Sequence, residues 1–201
     1  MAGATTRDDL LDAWLADLLG TPGLTAIRDR AEARRALLED ALRGLAVVAR
    51  EEGPIVDVGS GGGTPGIPLA AMLPSRPVTL LEAERRKCRF LERWAAELPN
   101  VRVVWGRAEE QPIEEYGVAV AKALAAPPTA AEWCLPLVRK GGLALLWVGP
   151  SADREACAAV ATELGGRVEE APAGLLALRK STATPPGFPR RPGVAKKRPL
   201  R

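Results

Sequence analysis

Asp57, Gly59, Gly61 and Gly63 alternate along Val56-Asp57-Val58-Gly59-Ser60-Gly61-Gly62-Gly63-Thr64-Pro65-Gly66-Ile67-Pro68. An apolar run leads into glycines, and proline then stands where a helix would begin. Glycines let the main chain turn tightly and let a ligand approach with no Cβ in the way. Where strands alternate with helices, ligands bind beyond the carboxyl ends of the strands, where such a loop falls. Two phosphate-binding loops are excluded. No lysine follows the glycines as in a Walker loop, and Thr64 stands where a dinucleotide fingerprint needs its third glycine. Glu82, ending the next apolar run, lies 23 residues after Gly59. A carboxylate there can accept hydrogen bonds from ribose hydroxyls.

The chain has no histidine. That excludes a Ser-His-Asp triad, a Cys-His pair and a histidine general base. Cys88, Cys134 and Cys157 are odd in number and widely spaced. They fit a reducing cytosol, give no disulfide framework and do not furnish a zinc ligand set. The chemistry must need little proton transfer from the protein, or come from a cofactor.

The elements that would position this loop follow from periodicity. Thr6, with Asp9 three residues on, caps a helix over 7–20 whose apolar face is Leu10, Leu11, Trp14, Leu15 and Leu18. A single second helix is expected over 31–50. From Ile55 the pattern becomes strands at 55–58, 78–81, 101–104, 118–121 and 143–148, alternating with helices at 67–73, 83–98, 127–138 and 153–164. Such alternation predicts an α/β fold with a mostly parallel sheet covered on both faces. The last two runs, 167–171 and 175–178, are separated only by a turn at Pro172-Ala173-Gly174. That permits an antiparallel hairpin and no parallel crossover.

A chain of 201 residues, 47% hydrophobic and 26% charged, is one ordinary globular domain with no membrane-length apolar run. No leader is visible at the N-terminus, and the expected compartment is the cytoplasm. Charge is uneven. Of 28 basic residues, eight fall in 179–201 with no acid among them, leaving 20 against 25 acids in the remainder. Five prolines there predict an extended segment without helix. It is a solvated terminus, a basic arm for polyanions, or a strap that packs back across the domain with Phe188 as its anchor. Trp105 and Trp147, near strand ends, are candidates for stacking a base or for packing.

The D-x-G-x-G-x-G spacing resembles the cofactor loop of class I S-adenosylmethionine-dependent methyltransferases. Longer segments resemble the GidB/RsmG family: Gly59-Ser-Gly-Gly-Gly-Thr-Pro-Gly-Ile-Pro-Leu69, Leu80-Leu-Glu-Ala-Glu-Arg-Arg-Lys87, Gly106-Arg-Ala-Glu109, Leu24-Thr25 upstream, and 185–200 downstream. The resemblance implies a Rossmann-like methyltransferase fold with a seven-stranded sheet whose terminal strand is reversed. It also implies S-adenosylmethionine as cofactor, and methylation of N7 of a guanine in the 530 loop of 16S rRNA. By position, Gly59, Gly61 and Thr64 would wrap the methionine and ribose part of the cofactor, Glu82 would hold the ribose, and Ala108 and Glu109 would border the adenine. Lys122 would lie near the methyl group and target base, as a cofactor-site and catalytic residue. Arg190, Arg191, Lys196, Lys197 and Arg198 would bind RNA. The expected organisation is an N-terminal helical segment (1–53), a cofactor-binding domain (54–180) and a basic tail (181–201). The expected partner is the small ribosomal subunit, with no metal and no membrane, and the chain a monomer.

The chain departs from the family pattern at four places. Leu37-Leu-Glu-Asp-Ala41 replaces His-x-x-Asp-Ser, Gly23 replaces asparagine, Lys122 replaces arginine, and Val148-Gly149 replaces Lys-Gly. An alternative class is therefore an RNA- or cofactor-binding ribosome-assembly protein of the same fold with weakened turnover. A small-molecule methyltransferase would explain neither the tail nor the Pro-Gly-Ile-Pro segment.

Overall fold

A computed structural model describes residues 6–200. Seven strands form one sheet: β1 (Ile55–Val58), β2 (Val78–Glu82), β3 (Val101–Trp105), β4 (Tyr116–Lys122), β5 (Val138–Trp147), β6 (Gly166–Glu169) and β7 (Leu175–Lys180), in the order β3-β2-β1-β4-β5-β7-β6. β1 to β5 are parallel, and β7 runs antiparallel to both β5 and β6. The reversed strand is last in the chain but second from the edge of the sheet, because its short turn from β6 seats it between β5 and β6. The strand order reverses between β1 and β4, which opens a crevice at their carboxyl ends.

Alternation along the strands sorts side chains to two cores. Ile55, Leu80, Leu143 and Leu145 face one core with the N-terminal helices, while Val56, Leu81, Ala144 and Leu146 face the other. The first core is capped by α1 (Arg7–Gly20), with the Thr6–Asp9 capping box formed. The segment 31–50 is not one helix. It divides into α2 (Arg30–Ala33), a π turn (Arg34–Glu39), α3 (Asp40–Leu42) and, beyond Gly44, α4 (Leu45–Arg50). The physical reason is competition for its carbonyls. Those of Ala36, Leu37 and Asp40 accept from Lys122 Nζ (2.8 Å), Thr64 Oγ1 (2.7 Å) and Trp147 Nε1 (2.7 Å). Side chains inserting into a helical ladder widen or break it. Gly44 permits the break, since a Cβ there would lie 2.5 Å from the Trp147 ring.

The remaining helices are α5 (Gly66–Met72), α6 (Arg85–Ala95), α7 (Pro127–Cys134), α8 (Arg154–Glu163) and α9 (Val194–Lys197). α7 stops before 138 because a 3₁₀ turn, Leu135–Leu137, takes over at Pro136. α9 lies in the segment expected to be extended and helix-free. It forms in 193–198, six residues clear of proline between Pro192 and Pro199.

The tail is a strap. Thr184 N donates to Glu114 (2.6 Å), Arg190 forms a two-pronged pair with Glu132 (2.5 and 2.6 Å), and Gly193 N donates to Glu109 (3.0 Å). Phe188 and Leu200 pack on the second core, and Ala195 is buried. Lys180 is fully buried, its Nζ donating to Leu164 O and Thr184 Oγ1, and burial pushes its pKa down to about 8. Arg179 pairs with Glu51 and Glu169. Arg179, Lys180 and Arg190 thus serve the fold. Arg191, Lys196, Lys197 and Arg198 are exposed, and Arg201 lies outside the described residues.

Candidate functional site

A cavity of about 410 Å³ opens at the carboxyl ends of β1, β2 and β4, within the usual range of roughly 300–1,000 Å³ for ligand sites. The glycine loop is its floor. Gly61 has φ +57°, and a Cβ there would meet nothing nearer than Gly59 O at 3.9 Å. The loop therefore presents bare main chain to the cavity at this position. Next to it, a Cβ on Gly62 would fall 2.1 Å from Leu18 Cδ1, and Trp14 Nε1 of α1 donates to Gly62 O (2.9 Å). One side of the loop is packed shut by the first helix and the other is open.

Asp57 is wholly buried behind the loop. Its Oδ2 accepts from Gly66 N (3.0 Å), and Oδ1 has no partner among the described residues. Burial pushes its pKa up to about 7, against the hydrogen bonds from Gly66 and Ser60. Asp57 ties the end of β1 to the start of α5 and does not face the cavity.

Glu82 ends β2 and lines the cavity while only 6% exposed. One carboxylate oxygen accepts from Gly61 N (2.8 Å) and the other from Glu84 N (2.7 Å). These bonds fix the carboxylate and leave lone pairs free for a further donor. Glu84 stands just before α6, exposed, and pairs with Lys87 (2.9 Å), which holds its carboxyl below the usual range.

Ala108 and Glu109 line the cavity from a 3₁₀ turn after β3, and Glu109 is fixed there by Gly193 of the strap. Thr64 lines it too, with its hydroxyl committed to Leu37 O. Lys122, at the end of β4, lines the cavity, but its amine is engaged. It donates to Ala36 O and pairs with Asp40 Oδ2 at 3.2 Å, so it holds the π turn in place as a wall. The structure thus brings Gly59, Gly61, Thr64, Glu82, Ala108, Glu109 and Lys122 to one cavity. It does not bring Arg190 to any surface partner, because Glu132 holds it.

Sequence reasoning missed Leu18, Leu37, Leu124 and Trp133, which also line the cavity. Trp133 comes from α7, where it reads as an ordinary member of an apolar helix. Trp147 is packing, 9% exposed and bonded to Asp40 O. Trp105 is 59% exposed at the end of β3. Among the described residues no group of three or more His, Cys, Asp or Glu could hold a metal, and no helix is long and apolar enough to cross a membrane. The three cysteines are buried, and burial pushes all three thiols up, Cys157 to about 11.

The fold is shared with solved structures at low identity. A predicted O-methyltransferase from Agrobacterium tumefaciens matches with TM-score 0.56 and 19% identity, over 69% of this chain and 78% of that one. The T. thermophilus 16S rRNA N2 methyltransferase RsmC, in complex with AdoMet and guanosine, matches with TM-score 0.53 and 18% identity, over 74% of this chain and 40% of that one. Sequence goes further. The "Ribosomal RNA small subunit methyltransferase G" of Symbiobacterium thermophilum is 41% identical, over 88% of this chain and 82% of that protein. The GidB family model, described as rRNA small subunit methyltransferase G, matches residues 13–170. That span holds Trp14 and Leu18 of α1, which seal the glycine loop, the π turn and every strand end around the cavity, and on it the chain belongs to the rRNA small subunit methyltransferase G family.

Proposed function

We propose that this chain transfers a methyl group from S-adenosylmethionine to N7 of a guanine in the 530 loop of 16S rRNA. The observation that carries the reading is the pair Gly61 and Glu82: an open main-chain approach and a fixed, half-satisfied carboxylate 2.8 Å apart in one cavity. Open main chain beside a carboxylate with free lone pairs fits a ribose-bearing ligand, whose hydroxyls donate. Gly59, Gly61 and Thr64 would hold its amino-acid and ribose part, Glu82 the ribose hydroxyls, and Ala108 and Glu109 the adenine. When bound, the cofactor supplies an activated methyl group on sulfur, and a guanine N7 accepts it through a lone pair that needs no prior deprotonation. This suits a chain with no histidine. What remains for the protein is alignment and exclusion of water. Leu18, Leu37 and Leu124 provide apolar wall, and Lys122 acts by positioning the π turn beside the target. In this reading 1–53 walls the site, 54–180 binds the cofactor, and 181–201 straps the domain while offering Arg191, Lys196, Lys197 and Arg198 to RNA phosphates.

The carboxylates of Glu82 and Glu84 are expected to differ sharply. Glu82→Ala should weaken S-adenosylmethionine binding about tenfold to hundredfold, since a hydrogen bond to a charged group is worth roughly 1.5–3 kcal/mol. Glu84→Ala, altering a carboxylate turned to Lys87, should change it little. Titration calorimetry compares the two, and equal losses would refute the role of Glu82.

The engaged amine of Lys122 favours one other reading, a ribosome-assembly protein that binds cofactor and RNA without turnover. Mass spectrometry of 16S rRNA from cells with and without the gene decides between them. Loss of one methyl from the 530 loop supports methylation at guanine N7. Identical RNA from both strains would leave only the assembly role.

A further inference from the structure

Trp105 is held in its exposed position. Its Nε1 donates to Ala83 O at 3.0 Å, and the Arg85 guanidinium lies over the ring, 4.6 Å from the centroid. Trp105 is the register partner of Glu82. Ala83, Gly106 and Arg107, which hold or follow it, line the cavity. The indole therefore stands on the cavity's lip. Further cations stand on the adjoining helix and in the turn that follows. Arg85, Arg86 and Arg89 of α6, with Arg107, are exposed, and none forms an ion pair among the described residues. The strap is anchored at the same lip by Gly193 on Glu109, and it brings exposed Arg191, Lys196, Lys197 and Arg198.

We propose that this lip is a docking surface for a single-stranded stretch of the RNA substrate, with the Trp105–Arg85 pair as stacking platform for one unpaired base. The inference rests on the RNA-methylating function proposed above and adds a contact outside the cofactor cavity. Aromatic rings and guanidinium planes are the surfaces on which splayed-out bases stack, and cations alongside neutralise the phosphates on either side. A hydrophobic protein partner would need a continuous apolar patch. Among the described residues the other exposed large apolar side chains are Ile113 and Val168, the latter on β6 at the far edge of the sheet. A second copy of the chain would bring like charges together. One rigid aromatic set among unpaired cations matches a polynucleotide.

The test uses the full chain with a 16S rRNA transcript over a series of salt concentrations. Trp105→Ala should weaken RNA affinity about five- to a hundredfold. The salt dependence should be unchanged, because no charge is removed. Trp105→Phe, which keeps an aromatic face, should retain most of the affinity. S-adenosylmethionine affinity and melting temperature should stay at wild-type values in both. RNA affinity equal to wild type in Trp105→Ala would overturn the proposal. So would a joint fall in melting temperature and cofactor affinity, which would make Trp105 structural. A change of oligomeric state with RNA affinity intact would assign the lip to a second copy and overturn it likewise. A wild-type chain that fails to bind the transcript would defeat the RNA-methylating reading itself, and this inference with it.

Discussion

Valine in place of Gly61 should abolish S-adenosylmethionine binding while the fold survives. Two causes act together. Residue 61 has φ +57°, a left-handed conformation that a β-branched residue resists. Its Cβ would also meet only Gly59 O, at 3.9 Å, so the added carbons project into the cavity and not into packed protein. Strain at this residue further disturbs the N–H that fixes Glu82. The expected loss exceeds about a hundredfold, or ~2.7 kcal/mol. Gly62→Ala is the contrast. Its Cβ would strike Leu18 of α1, so it should lower the melting temperature, whereas Gly61→Val should abolish affinity and lower the melting temperature only by its left-handed strain of roughly 1–3 kcal/mol. Unchanged calorimetric affinity in Gly61→Val would remove the loop from the site.

Deleting 185–201 should lower thermal stability and cofactor affinity together. Glu132 is 3% exposed and its bonds run to Arg190 alone among the described residues. Removing one partner of a buried pair costs about 3–5 kcal/mol, and the seats of Phe188, Ala195 and Leu200 are emptied as well. For a domain of this size each kcal/mol moves the melting temperature by roughly 2–4 °C, so a fall of roughly 6–20 °C is expected in a thermal melt. Glu109 loses the Gly193 N–H at the same time, which loosens the wall of the cavity that Glu109 forms. RNA binding should fall with a flatter salt dependence, since each lost phosphate contact removes roughly 0.7–0.9 from the log–log slope. Replacing only Arg191, Lys196, Lys197 and Arg198 with alanine should reproduce the flatter slope without the thermal loss. A truncated chain that melts like the full one would refute the strap.

The sheet was legible because period-two apolar runs and helical stripes depend on burial, which a chain writes locally. The glycine loop and Glu82 were legible for a related reason: spacing along one strand–turn–helix fixes them. What escaped was long-range. Nothing near residue 36 announces that Lys122, 86 positions away, will take its carbonyl and open a π turn in an apparently uniform helix. Nothing near Arg190 announces Glu132. Charge, proline and Phe188 leave a free arm and a folded-back strap both open, and the pairing that decides for the strap depends on a carboxylate in another element. Lys122 was legible as a cavity residue, but its commitment to Asp40 was not, since both ends of that bond look like ordinary surface charges.

The strap also sets an order in time. Polypeptides emerge and fold from the N-terminus, and residues 184–193 are translated after every strand of the sheet. The nascent chain can therefore build its sheet and seal the glycine loop with α1 while Glu132 still lacks its guanidinium and Glu109 its N–H. The cavity is finished only in molecules whose translation has run past Gly193. Newly made chains are thus structurally immature at the Glu109 side of the cavity, and a protease cut that releases the segment from Arg190 onward would return an old molecule to that unfinished state.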